Sequence, residues 1–246
     1  MKVVDEYANG EKKVEHHYTD CSDTTSYKRI FFYENGQIGS ESNVLAGYLE
    51  GLCKGWNENG IQIEEWYMQH GEEHGPFQCW YDNGVKGSES FQMHGKLHGT
   101  VTNWHENGEL ASKGAFEEGE KVGTWEYFEE NGDWYRRNYL KGQLEGRTNE
   151  RVIDSTGEVS FVVGQYENGQ EVGLWKWFDA DSLLELTGNY ISGESTGEFV
   201  EYYKDGTIRM SGNLVKGLKE GPVKYFDADG NLTHVEEYEN GIIKTN

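Results

Sequence analysis

Four histidines are the side chains in this sequence best suited to reactive chemistry. His70 and His74 flank one short glycine-containing segment, and His94 and His98 hold the same two places 24 residues later. Four imidazoles could together hold Zn²⁺, with ligands at about 2.0–2.1 Å. If the two segments are successive strand pairs they stand about 10 Å apart, too far for easy four-fold coordination, so no metal is expected. Carboxylates also cluster, with Glu117, Glu118 and Glu120 around one turn and Glu129, Glu130 and Asp133 around another. General acid–base work needs a cleft that drives two pKa values apart, and hydrated turns do not provide one. The chain has no Ser-His-Asp order, no His-Glu-x-x-His and no Gly-x-Gly-x-x-Gly opening a helix. Cys21, Cys53 and Cys79 are odd in number and lack a Cys-x-x-Cys, so they read as neither a disulfide framework nor a zinc site. No catalytic residue and no cofactor is expected.

Chemistry suited to binding is more evident. Glu34, Glu58, Asp82, Glu106 and Glu130 recur two positions before a glycine, and the column then fails at Ser155, Ala180, Lys204 and Ala228. Their spacing, near or above the Debye length of about 8 Å, screens their mutual repulsion. A basic partner could engage several of them at once, with Glu129 and Asp133 beside the fifth. Trp56, Trp80 and Trp104 share a second register. They read either as an aromatic binding platform or, more often in such columns, as the packing ladder between repeats.

The whole composition agrees with a basic partner. With 44 acidic residues against 22 Lys and Arg, the formal charge is −22. That charge repels nucleic acid and anionic membrane. The 14% aromatic content is too high for a disordered tract, and the 33 glycines lack the three-residue period of collagen. No apolar run approaches the roughly 20 residues that span a bilayer, and the opening residues lack a signal-peptide core. A soluble, cytoplasmic protein is expected.

An internal repeat must position all of these residues. An aromatic residue, two or three polar residues and a glycine recur as Tyr33–Gly36, Trp56–Gly60, Trp80–Gly84, Trp104–Gly108 and Phe128–Gly132. The pattern continues at Ile153–Gly157, Phe178–Ser182, Tyr202–Gly206 and Phe226–Gly230, with steps of 24 or 25 residues. A second glycine series (Gly47, Gly71, Gly95 and onward) interleaves with the first, and a third lies four residues further on in most units. Each unit reads as strand, Asn-Gly turn, strand and a Gly-x-x-x-Gly connection. The Asn-Gly pairs predict type I′ turns, which need positive φ at both central residues. Apolar columns stand at Cys53, Phe77, Val101, Trp125, Trp175, Phe199 and Val223, and at Val44, Met68, Phe116, Tyr139, Tyr166, Tyr190, Leu214 and Tyr238. Stacked hairpins turn such columns into cross-strand ladders. The expected fold is all-β: an elongated single-layer antiparallel sheet of about nine stacked hairpin repeats. Residues 1–28 read as an atypical N-terminal cap repeat with a loop, in which Tyr7–Gly10 resembles a degenerate second turn. Residues 29–246 form the array, with an irregular unit at 147–157 whose two extra residues predict a bulge or kink.

Segments such as YENGQIGSES, WHENGELASKGAFEEGEKVGTWEYF and YENGQEVGLWKWF resemble the MORN-repeat variant, as found in bacterial proteins grouped as YwqK-like antitoxins and immunity proteins. The resemblance runs from about Arg29 to Lys244. It implies a hairpin-repeat fold and a non-enzymatic role in neutralising a cognate protein toxin. With the acidic column, that role would be occlusion of a basic, nucleic-acid-targeting groove by Glu34, Glu58, Asp82, Glu106, Glu130, Glu129 and Asp133, edged by Trp56, Trp80 and Trp104. A cytoplasmic scaffold for other proteins is the alternative. Open edge strands leave the oligomeric state undetermined.

Overall fold

The computed structural model describes residues 2–20 and 22–244; Cys21 lies outside them. Every element is a strand, so no helix is long and apolar enough to cross a membrane. The chain divides into two compact units, Met1–Glu120 and Lys121–Asn246. Unit 1 contains β1 (Lys2–Glu6), β2 (Lys12–Tyr18), β3 (Tyr27–Phe32), β4 (Ile38–Leu45), β5 (Tyr48–Leu49), β6 (Gly51–Trp56), β7 (Gln62–Gln69), β8 (Glu72–Trp80), β9 (Lys86–Met93), β10 (Lys96–Leu97), β11 (Gly99–Trp104) and β12 (Leu110–Glu117). Unit 2 begins within β13 (Glu120–Phe128). It continues through β14 (Trp134–Leu140), β15 (Gln143–Leu144), β16 (Gly146–Ile153), β17 (Val159–Glu167), β18 (Gln170–Phe178), β19 (Leu184–Ile191), β20 (Glu194–Tyr202), β21 (Ile208–Val215), β22 (Leu218–Phe226), β23 (Leu232–Glu239) and β24 (Ile242–Ile243). Within each unit, successive strands pair antiparallel in chain order, so the expected train of hairpins is observed.

The two turns of each repeat exchange the roles that the Asn-Gly pairs predict. At Tyr33–Gln37 the Gly36 N–H donates to the Tyr33 carbonyl at 2.9 Å, and the Tyr33 N–H donates to the Gln37 carbonyl at 2.8 Å. Gly36 is left-handed, whereas Asn35 is absent from the positive-φ residues. This is a type I turn closed by a left-handed glycine, not type I′. The asparagine is there for its side chain: Asn35 Oδ1 accepts the Gln37 N–H at 3.0 Å. Type I′ geometry falls instead on the second glycine series, where Ala46 (φ 50°) precedes Gly47 (φ 86°) and His70 (51°) precedes Gly71 (85°). Tyr7–Glu11 is likewise a five-residue turn of the first kind, so the first repeat begins with β1 rather than after a degenerate second turn.

Unit 2 has one five-residue turn without its glycine. Ser182 occupies the place at φ 63°, in a backbone region that costs an L-residue about 1–2 kcal/mol. Ser182→Gly should therefore raise stability by about 0.5–1 kcal/mol, after allowing for glycine's greater freedom in the unfolded chain. Urea unfolding with an unchanged m-value would show it.

The β16–β17 hairpin of the irregular unit contains no bulge. In most repeats the strand after the five-residue turn carries one bulged residue; β11 and β12 show this shift between Asn103 and Trp104. By contrast, β16 and β17 pair without interruption from Gly146 opposite Tyr166 to Ile153 opposite Val159. The extra residues lengthen both strands of the hairpin and bring its bulge position into the ladder. The turn survives as well, with Thr156 in place of asparagine and Asp154 Oδ1 accepting the N–H groups of Thr156 (2.8 Å) and Glu158 (2.9 Å).

The core lies in the expected columns. Cys53, Val101, Trp125, Trp175, Phe199 and Val223 are buried, as are Val44, Met68, Tyr166 and Tyr238. Thr148 fills the first column in the irregular unit and is fully buried. On the opposite face, ion pairs bridge neighbouring strands, with Lys54 against Glu65 at 3.0 Å and Lys28 against Glu41 at 2.7 Å. Such partly exposed pairs add at most about 1 kcal/mol each.

Candidate functional site

The five-residue turns of unit 1 form the most regular polar array on the chain. Glu34, Glu58, Asp82 and Glu106 occupy the same place in successive turns, and all four are exposed. Side chains tie each turn to the next. Asn35 Nδ2 donates to the Glu58 carbonyl at 2.8 Å, Asn57 Nδ2 to Asp82 Oδ1 at 2.8 Å, and Asn83 Nδ2 to the Glu106 carbonyl at 2.9 Å. Tyrosines add a second tie, since Tyr33 Oη donates to the Trp56 carbonyl at 2.9 Å and Tyr81 Oη to the Trp104 carbonyl at 2.8 Å. The sequence reading missed these asparagine and tyrosine roles. The available signal was a tyrosine opening the turn 23 residues before an aromatic residue of the next repeat.

The tryptophans of the candidate site are half-buried. Trp56 and Trp104 present their carbonyls to the ties just described, and the Lys86 ammonium lies 5.7 Å from the Trp104 ring centroid. The backbone at Trp56 and Trp104 therefore ties one turn to the next, while the side chains of all three tryptophans stay partly exposed.

Glu129, Glu130 and Asp133 belong to the first five-residue turn of unit 2. Glu129 and Glu130 are exposed. Asp133 is 7% exposed, and it departs from its expected place on the binding surface. Its Oδ1 accepts the Ile153 N–H at 2.6 Å and its Oδ2 accepts from Asn131 Nδ2 at 2.9 Å. A buried carboxylate with those partners joins two turns rather than receiving a ligand.

Of the four candidate histidines, His74 and His94 come together, with ring centroids 5.0 Å apart. The His94 N–H points at His74 Nδ1 across 3.5 Å, and Glu72 lies 3.7 Å from His94 Nδ1. Backbone N–H groups of His70 and His98 are engaged elsewhere, on Glu50 and Phe91. Among the described residues no group of three or more His, Cys, Asp or Glu is placed to hold a metal ion. Cys53 and Cys79 are free thiols, and burial pushes both pKa values up, away from the thiolate needed for nucleophilic chemistry.

Comparison with known proteins adds one finding. The family model described as the MORN repeat variant matches residues 97–118 and residues 219–240. One match lies in each unit, and each runs from within one Gly-x-x-x-Gly connection to just before the glycine that opens the next. No curated protein matches the chain significantly. The matched segments share their turns, glycines and buried columns with the units around them, so the likeness to the MORN repeat variant is carried by a hairpin that recurs in both units.

Proposed function

We propose that this chain is a non-enzymatic protein-binding module that neutralises a basic protein toxin by covering its anionic-substrate groove. The carrying observation is the row of exposed carboxylates at Glu34, Glu58, Asp82 and Glu106, held in register by ties from one turn to the next. Because the turns are pre-tied, little conformational entropy is lost when a partner binds. The net charge of −22 favours encounter with a cationic groove and disfavours nucleic acid on the same surface. MORN-variant repeats support the coarser part of this reading, a binding or scaffolding role.

The test is co-expression with the product of the adjacent reading frame, followed by affinity measurement on the purified pair. Reversing all four charges (Glu34→Lys, Glu58→Lys, Asp82→Lys, Glu106→Lys) should weaken binding on the order of 100-fold, at roughly 0.5–1 kcal/mol per rim charge. Wild-type affinity should also fall as salt rises. Binding that responds to neither change would reject the electrostatic mechanism. Recovery of a neutral, multi-protein assembly in place of a basic toxin would favour the scaffold.

A further inference from the structure

Two lysines of unit 2 stand among aromatic rings, and their places in the repeat correspond. Lys121 Nζ lies 4.3 Å from the Trp125 ring centroid, 5.1 Å from that of Tyr127 and 5.2 Å from that of Tyr139. Lys219 Nζ lies 5.2 Å from Tyr238, 5.7 Å from Tyr225 and 6.0 Å from Phe199. Each lysine comes four residues before the buried column, held by Trp125 and Val223. Two residues after the column stand Tyr127 and Tyr225. Tyr139 pairs opposite Gly123, and Tyr238 opposite Gly221. The negative ring faces hold the ammonium.

Strands β18 and β19 supply the same rings without the lysine. Trp175 holds the column, Trp177 follows two residues later, and Tyr190 pairs opposite Gly173. Centroid separations are 5.6 Å for Trp175 and Tyr190, 6.3 Å for Trp175 and Trp177, and 6.4 Å for Trp177 and Tyr190. Around Lys121 they are 5.8 Å from Trp125 to Tyr127 and 6.4 Å from Trp125 to Tyr139, so spacing that admits an ammonium is kept. Glu171 takes the lysine's place. Among the described residues no Lys or Arg stands over Trp175, Trp177 or Tyr190, and Glu171 has no ion pair and no side-chain hydrogen bond. Its carboxylate is half-buried and acts on Tyr166, which meets Trp175 edge-on at 5.4 Å; burial, with Glu150 and Glu171, pushes the Tyr166 phenol's pKa up. Trp177 and Tyr190 are half-buried, leaving part of each at the surface.

We propose that Trp175, Trp177, Tyr190 and Glu171 form a cation site that takes an alkylammonium from outside the chain, the side chain of a lysine on another protein. The rings offer what Lys121 and Lys219 use within the chain, and Glu171 adds the opposite charge. The site belongs to unit 2 and shares no residue with the acidic row of unit 1.

The test is a titration of the full chain with the peptide acetyl-Gly-Lys-Gly-amide, followed through the indole N–H signals of Trp175 and Trp177 in proton–nitrogen correlation spectra. Both signals should shift with this peptide and stay in place with one carrying norleucine, which keeps the alkyl chain and lacks the ammonium. Glu171→Gln should weaken binding about two- to fivefold, removing the charge and leaving the rings. Glu171→Lys should set the chain's own ammonium among the rings. It should abolish the peptide response and raise the urea midpoint, in an unfolding transition that also shows the variant to be folded. Three results would each overturn the site: no shift at up to about 20 mM peptide, an equal response to the norleucine peptide, or an undiminished response in Glu171→Lys. The assay contains no toxin, so its failure is distinguishable from failure of the proposed neutralisation.

Discussion

Gly164→Ala should destabilise the protein by about 3 kcal/mol, the upper end for overpacking a core. The backbone at Gly164 is not left-handed, so alanine loses nothing conformationally. Space decides the outcome. A Cβ at this position would fall inside the Trp175 indole, 2.5 Å from Cε3 and closer still to Cδ2 and Cε2. The indole is 5% exposed and has rings on several sides, with Tyr166 at 5.4 Å, Tyr190 at 5.6 Å and Trp177 at 6.3 Å between centroids. It cannot swing aside without displacing them. Gly188, which pairs with Trp175 from the other side, supplies the control. There the nearest atom to a new Cβ is 3.6 Å away on Trp177, an ordinary contact, so Gly188→Ala should be neutral or slightly stabilising. In a Trp175→Leu background the Gly164→Ala penalty should shrink to under about 1 kcal/mol, a coupling expected of touching residues. Urea unfolding of the four variants against wild type measures all of this. A Gly164→Ala change within about 0.5 kcal/mol of wild type would mean that Trp175 does not cover this glycine.

Trp125→Ala should cost about 3–5 kcal/mol, as expected for a buried aromatic cut back to a methyl group. Trp125 is 2% exposed, stacks on Tyr127 at 5.8 Å and meets Tyr139 edge-on at 6.4 Å. It also faces a cation: Lys121 Nζ is 4.3 Å from the Trp125 centroid and donates to Tyr127 Oη at 2.8 Å. Removing the indole leaves a cavity beside an ammonium that loses its best ring. A spectroscopic readout accompanies the stability loss. Burial, with the hydrogen bond to Tyr127, pushes the Tyr139 phenol from an ordinary 10.0 up to about 12. Water entering the cavity should bring that titration back toward 10, visible in the tyrosinate absorbance. The sign for stability follows from linkage. A phenol whose folded pKa is raised contributes fully below pH 10, and its contribution falls as the pH climbs through about 12.

The repeat, its two strands and its buried columns were all legible in the sequence, because a side-chain period of two combined with a fixed 24-residue step leaves few registers open. The assignment of turn types was not. Asn-Gly suits a type I′ turn, but it equally suits a type I turn whose asparagine caps the chain two residues on and whose glycine alone turns left-handed. Residues before the second glycines, among them Ala46, His94, Glu118 and Lys216, carry no compositional hint of positive φ. Asp133 shows the same limit at the candidate site. Nothing in its local pattern distinguishes it from Glu129 and Glu130, and only the longer β16–β17 hairpin brings the Ile153 N–H to its carboxylate. Glu34, Glu58, Asp82 and Glu106 are exposed because a turn's second position points to solvent in every repeat.

The ties between hairpins also bear on how such a chain can change over evolutionary time. The side-chain hydrogen bonds that tie one turn to the next reach only to the neighbouring repeat, as Tyr7 does to the Phe32 carbonyl and Asn57 to Asp82. The second turns follow the same rule, with the Gly71 N–H on the Leu49 carbonyl and the Gly217 N–H on the Ser195 carbonyl. A hairpin pair gained or lost by unequal recombination would therefore disturb only its immediate neighbours. Length becomes a readily varied trait, and the number of charged tips can be matched to the size of whatever is being grasped.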